Sequence, residues 1–332
     1  MFWRKKINFN SGALPDTRPQ IKKDEDYVQS ELVAAIAPVV WVKKDKYRTF
    51  PKRMQDGSGS CVMQSLEKER GIMAEQKYGE FIEFSCNDDY QLRANPTISG
   101  STFDDLIKAT NRGAVLEVLS PSQHLNDFQM MNVKKLSYSD DVSKIFGAKR
   151  ITMDLNIDTI ASTIENTGKG IGLTIRFGKG EWFYTSMVKE LLPESQWTSG
   201  HRVVAIDYTL DDLGRKCLII DDSACEDGHQ YRTVPESFLL KRTYWAPNYI
   251  LNFKTYAEMG VIPEKPHFDG SIISAQKCFK FENLFPANTD EVESWGPVTR
   301  KACVEFQKRY NIVPALGNFG PITKEKLLEL YP

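Results

Sequence analysis

The spacing of apolar residues changes along this chain, and that change limits the folds open to it. Helical spacing dominates the first half. Ser101-Thr102-Phe103-Asp104-Asp105-Leu106 opens with a capping-like pair, continues with apolar residues on one helical face and stops at Gly113. Ile157, Ile160, Ala161 and Ile164 again repeat at three and four. From there the pattern becomes strand-like: Gly170 to Phe177 alternates, Val203 to Ile206 is a continuous apolar run, and so is Cys217 to Ile220. Asp211-Asp212 before Leu213-Gly214 reads as a hairpin turn. Helices first and strands second describe an α+β chain whose later half is a mostly antiparallel sheet.

Chemistry enters at Gln55-Asp56-Gly57-Ser58-Gly59-Ser60-Cys61, a glycine-serine loop that delivers one cysteine to the start of a helix-compatible run. A thiol placed there meets unpaired backbone N–H groups and the positive end of the helix dipole, both of which favour the reactive thiolate. Gln55 can supply an oxyanion donor. The imidazole such a thiolate requires is His201, just ahead of the Val203 strand. The Cys217 strand ends in Asp221-Asp222-Ser223, polar residues able to hydrogen-bond that imidazole. Singly, a cysteine is usually a small buried hydrophobe and a histidine beside a strand a structural residue. The functional reading rests on the ordered set.

These segments resemble papain-like cysteine peptidases over roughly residues 35–250. Gln55 matches the family's oxyanion glutamine and Gly59-Ser60-Cys61 its Gly-Ser-Cys. His201 opens the matching His-x-Val-x-x-x-x-Tyr strand, and Asp222-Ser223 stands at the family's Asn-Ser, which favours Asp222 over Asp221 as the histidine's partner. Ser58 replaces a disulfide-forming cysteine, Val62 an aromatic residue and Ala224 a tryptophan. Asp222 replaces a neutral amide, and a carboxylate would hold the imidazolium more strongly. The resemblance implies hydrolysis of a polypeptide through a Cys61 thioester, without metal or organic cofactor. In that scheme the Cys61 N–H and the Gln55 side chain stabilise the oxyanion, and Asp222 orients His201.

The chain changes character at Gly260-Val261-Ile262-Pro263-Glu264-Lys265-Pro266, which two prolines hold extended. Beyond it, Trp295-Gly296-Pro297-Val298-Thr299 and Phe319-Gly320-Pro321-Ile322-Thr323 echo one another, each leading into a helix with an apolar face. With an earlier helix from Ile272, residues 268–332 resemble a three-helix peptidoglycan-binding domain. That implies a bacterial cell-wall target, with Trp295, Tyr310 and Phe319 as candidate sugar-stacking residues. A small helical interaction domain, whose Gly-Pro-Thr turns cap helices and whose aromatics fill the core, carries the same signature. The expected organisation is an extended arm at 1–34, a peptidase domain at 35–258, a linker at 259–267 and the peptidoglycan-binding-like domain at 268–332.

A formal charge of −1 over 332 residues gives no electrostatic bias toward nucleic acid. The longest apolar stretch, Leu32 to Trp41, is interrupted by Pro38, so no membrane partner is expected. Met1 to Lys6 is basic, yet Asn8, Asn10 and Ser11 follow where a signal peptide has its apolar core. Synthesis in the cytoplasm is expected, with release by lysis or packaging in a particle in a bacterial or phage setting. The arm is a candidate inhibitory segment, too short for a large pro-domain. The six cysteines lack metal-ligand pairing, His124, His229 and His267 are isolated, and no metal site is assigned. Two other readings share these features: a non-catalytic wall-binding or virion protein that keeps a peptidase scaffold, and a lysin cutting wall peptides or the sugar–peptide amide.

Overall fold

In the computed structural model the described residues are 13–14, 37–132, 146–188, 192–197, 199–254, 265–286 and 289–332. The expected arm at 1–34 lies outside them except for Ala13 and Leu14, as does the linker up to residue 264. Helix α1 (Cys61–Tyr78) is the central element. It is buried along most of its length, including Glu67, Lys68, Glu69 and Arg70. Their burial is tolerated because each meets an opposite charge. Lys68 pairs with Asp221 at 2.7 Å, Glu69 with Arg202 at 2.8 Å and Arg150 at 2.6 Å, and Arg70 with Asp89 at 2.9 Å and with Glu67. Gly79 ends the helix in the left-handed region (φ 86°), its N–H donating to the Glu75 carbonyl.

A two-stranded pairing of β1 (Phe84–Ser85) with β2 (Val115–Leu116) brackets α2 (Asn87–Gln91) and α3 (Phe103–Arg112), and α4 (Asp127–Asn132) follows. The expected cap of α3 is a full capping box: Thr102 accepts from the Asp105 N–H, and the Asp105 carboxylate accepts from the Thr102 N–H. Six antiparallel strands come next, β3 (Ala148–Thr152), β4 (Ile171–Phe177), β5 (Ser199–Leu210), β6 (Lys216–Asp221), β7 (Tyr231–Pro235) and β8 (Thr243–Phe253). They lie in the order β3-β8-β4-β5-β6-β7. Between them run α5 (Ile157–Thr167), α6 (Lys179–Trp182) and α7 (Glu236–Arg242).

One apolar cluster gathers Ile160, Leu173, Val203, Leu218 and Phe238 from the sheet, α5 and α7. A second gathers Cys61, Leu66, Phe84, Phe103 and Trp245, where α1 crosses the sheet over β5 and β8. The site therefore lies where the helical layer meets the sheet.

Three helices, α8 (Ile272–Phe281), α9 (Pro297–Arg309) and α10 (Pro321–Leu330), close on their own cluster of Cys278, Phe279, Phe306 and Leu327. The sequence echo has a structural cause. Gln276 Nε2 donates to Thr299 Oγ1 at 2.9 Å while its Oε1 accepts the Val292 N–H at 2.9 Å. Gln307 repeats this with Thr323 Oγ1 and the Gly317 N–H, both at 2.8 Å. Each buried glutamine thus ties the threonine of one Gly-Pro-x-Thr turn to the helix before it. Lys301 of α9 donates to the carbonyls of Glu75 and Gln76, placing a cation at the negative end of α1, opposite Cys61.

Candidate active site

The loop that presents Cys61 is fixed at both ends. Gln55 N–H donates to the Ser223 carbonyl (3.1 Å) and Ser58 N–H to the Gln55 carbonyl (2.9 Å), with Asp56 and Gly57 at positive φ in the turn between. At Gly59 a Cβ would lie 2.1 Å from Ser99 Oγ and 2.7 Å from Gly100 N, so this close approach requires glycine. Ser60 is the N-cap residue and Cys61 the first residue of α1. Ser58, which stands where the resemblance expects a cysteine, hydrogen-bonds Ser60 through their hydroxyls at 2.6 Å. The Gln55 amide is held from both sides: its Nε2 donates to the Ser58 carbonyl at 2.9 Å, and its Oε1 accepts from Ser223 Oγ at 2.8 Å.

His201 lies in β5 opposite Ile175 of β4. The β5–β6 hairpin, registered by Val204 against Asp221, brings the residue after β6 to the imidazole. His201 Nε2 and Asp222 Oδ1 are 2.6 Å apart, and Cys61 lies close enough for its charge to act on the ring. The Arg202 N–H donates to Cys61 Sγ at 3.4 Å. Cys61, His201, Asp222 and Gln55 are all fully buried. Asp221 turns away to Lys68, as strand alternation predicts.

Electrostatics favour an imidazolium here. Burial lowers the His201 pKa, but the Asp222 charge, the Cys61 charge and hydrogen bonds to both outweigh it and push the value up to about 10. Burial raises that of Asp222, yet His201 and Arg232 together hold it well below the usual carboxylate range. The pair's stability contribution therefore has two edges. The His201 part is fully present below its ordinary value of about 6.5 and is lost as pH rises through about 10. The Asp222 part is present above the ordinary carboxylate range and is lost as pH falls through the depressed value.

Two further residues complete this site, Trp182 and Arg232, and neither belongs to a motif in the sequence. Asp222 Oδ2 accepts from Trp182 Nε1 and from Arg232 Nε, each at 2.7 Å, while Oδ1 also takes the Ala224 N–H at 2.9 Å. The Trp182 indole meets His201 edge to face, centroids 6.1 Å apart at 79°. It supplies from α6 an indole like the one that Ala224 lacks. A signal for Arg232 did exist: alternation in Tyr231-Arg232-Thr233-Val234 puts it on the inward face with Val234.

Ala13 and Leu14 lie beside this centre. Ala13 N–H donates to the carbonyl of Gly200, the residue before His201, at 3.4 Å, and Leu14 N–H donates to Ser101 O at 2.9 Å. Tyr244, close enough to Cys61 to be affected by its charge, donates to Ala13 O at 2.9 Å.

Elsewhere, Trp295 and Phe319 stack on each other (4.7 Å), Trp295 Nε1 donates to Gly317 O, and Tyr310 donates to Glu282 at 2.7 Å. All three are partly buried against the helical core. His124 pairs with Asp56 at 3.0 Å on the surface. Among the described residues no group of three His, Cys, Asp or Glu is placed to hold a metal, and no helix is long and apolar enough to cross a membrane.

No protein-family model matches the sequence, nor does any curated protein. Solved structures do resemble the fold. Xylellain, described as a cysteine protease from Xylella fastidiosa, is 15% identical with a TM-score of 0.57, over 76% of this chain and 100% of that one. Digestive procathepsin L 3 of the Tenebrio molitor larval midgut is 13% identical with a TM-score of 0.52, over 74% of this chain and 76% of that one. At such identities the likeness concerns architecture: the chain has the papain-like α+β fold, with a helical region added at its C-terminal end.

Proposed function

We propose that the protein is a cysteine peptidase in which Cys61, His201 and Asp222 carry the reaction. The observation that supports this most is the Asp222 carboxylate 2.6 Å from His201 Nε2, with Cys61 at the start of α1 close enough for its charge to act on the same ring. In this scheme the thiolate attacks a peptide carbonyl, and His201 gives its proton to the departing amine as the C–N bond breaks. His201 then takes a proton from the water that cleaves the thioester. In the same scheme the Cys61 N–H, at N1 and outside the helix ladder, and the second N–H of the Gln55 amide donate to the developing oxyanion.

The reading predicts hydrolysis of fluorogenic peptides that is blocked by a thiol-reactive epoxide. Because the imidazolium persists to high pH, the alkaline limb of kcat/KM should fall near pH 10. A limb near 6.5, or hydrolysis insensitive to the epoxide, would remove the basis for the proposed pair.

We propose further that the segment holding Ala13 and Leu14 is inhibitory: their backbone bonds Gly200, the residue before His201, and Ser101, beside the fully buried Cys61. A covered cleft lowers the apparent rate by the fraction of molecules in which it is open. Deleting residues 1–14 should raise both Cys61 alkylation and peptide hydrolysis by about tenfold or more. Unchanged rates would show that the contact does not restrict access.

For residues 268–332 we assign recognition of bacterial peptidoglycan, supported by the three-helix arrangement with its paired Gly-Pro-x-Thr turns. The full chain should sediment with insoluble peptidoglycan, and substitution of exposed edges of Trp295, Tyr310 or Phe319 should weaken this. Recovery of all protein in the supernatant would contradict the assignment. Release of soluble peptides from the pellet would make the wall peptide itself the substrate.

A further inference from the structure

We propose that Arg232 is a positioning residue for this reaction: from β7 its guanidinium fixes Asp222 and offsets its charge, which allows a carboxylate to stand behind the imidazole of His201. The inference rests on the cysteine-peptidase reading.

Arg232 is fully buried, and all three of its nitrogens are engaged. Nε donates to Asp222 Oδ2 at 2.7 Å. Nη1 donates to the carbonyls of Trp182 (2.8 Å) and Thr185 (2.7 Å). Nη2 donates to both Asp227 oxygens at 3.1 Å and to Ala224 O at 3.3 Å. The guanidinium also lies 5.4 Å from the Trp182 ring centroid. With Arg232 and Trp182 on Oδ2, the carboxylate plane is set and Oδ1 faces His201.

Charge makes this necessary. A buried carboxylate needs an opposite charge, whereas a neutral amide at the same position needs hydrogen bonds alone. Asp222 facing His201 alone would bind the imidazolium so firmly that proton transfer to the leaving amine would be retarded. Arg232 shares the carboxylate and weakens that hold. The other ionisable groups around Asp222 are Asp221 from β6, engaged by Lys68 of α1, and Cys225, Glu226 and Asp227 from the following loop, with Cys61 beyond His201. Among the described residues the ion pairs made by Asp222 are those with His201 and Arg232.

The test compares full-length wild type with Arg232→Gln, Arg232→Lys and the double variant Asp222→Asn/Arg232→Gln. The measurements are peptide kcat and KM against pH, and the pH dependence of Cys61 carboxamidomethylation by iodoacetamide. For Arg232→Gln, kcat should fall about tenfold or more with KM within about twofold, and the alkaline limb should move up by about one pH unit or more. Arg232→Lys, which keeps the charge and loses the fork, should keep the wild-type limb at reduced kcat. The double variant should recover most of the kcat lost in Arg232→Gln, because neither charge remains. If Arg232→Gln fails to fold, a double variant that folds and labels at Cys61 supports the proposal. A double variant no better than the single one overturns it, as does an Arg232→Gln alkaline limb that coincides with wild type. Wild type that never labels at Cys61 counts against the peptidase reading itself, a result distinct from these.

Discussion

Exchanging Cys61 for serine is expected to remove peptide hydrolysis, with kcat lower by about four orders of magnitude or more. The serine hydroxyl fits the same fully buried space at the first residue of α1, so the melting temperature should stay within a few degrees of wild type. That combination separates the nucleophile from the small buried hydrophobe that an ordinary cysteine would be. A structural cysteine would show the reverse pattern, with activity following the folded fraction. Steady-state kinetics alongside a thermal melt reads both. Turnover by the serine variant within tenfold of wild type would remove Cys61 from the chemistry.

Asp222→Ala should cost both activity and stability, unlike Cys61→Ser. Its removal leaves Arg232 with Asp227 as its one carboxylate and deprives His201 of the group that holds its Nε2. Breaking a buried charge pair by deleting one partner costs about 3–5 kcal/mol. A lower urea midpoint at unchanged slope would report that loss. The difference from wild type should be largest at intermediate pH, where the carboxylate and imidazolium are both charged, and should shrink toward the acid and alkaline extremes. Asp222→Asn, which keeps the shape and the hydrogen-bonding oxygen, should be milder in stability. An alanine variant as stable as wild type would mean that the network does not hold the sheet to α6.

Much of the fold could be read locally, because its signals are local. The capping box of α3, the apolar stripe of α5 and the Asp211–Gly214 turn depend on neighbours within a few residues. So does the arrival of Cys61 at a helix start. The polar half of the site could not be read this way. Glu67-Lys68-Glu69-Arg70 has the composition of a solvated helix face, and its burial makes sense only with Asp221, Arg202, Arg150 and Asp89 brought from elsewhere in the chain. Trp182 stands 40 residues from Asp222, and nothing in its own segment marks it as that carboxylate's donor. Alternation in Tyr231–Pro235 is a local signal that Arg232 faces inward, but nothing near it in sequence points to its partner. The Gly-Pro-x-Thr echo was legible as a repeat, whereas its cause, a buried glutamine on the preceding helix in each case, depended on packing.

The central proposal is that Cys61 is the nucleophile and His201 its base. The most direct measurement treats the full chain with a peptidyl epoxide and locates the adduct by mass spectrometry, in wild type and in His201→Ala. The account predicts a single adduct on Cys61 in wild type that is lost in His201→Ala, while Cys86, Cys217, Cys225, Cys278 and Cys303, whose thiols burial pushes up to about 12, remain unmodified. An unmodified Cys61, or labelling that persists unchanged without His201, would contradict it and leave a papain-like scaffold without the proposed chemistry.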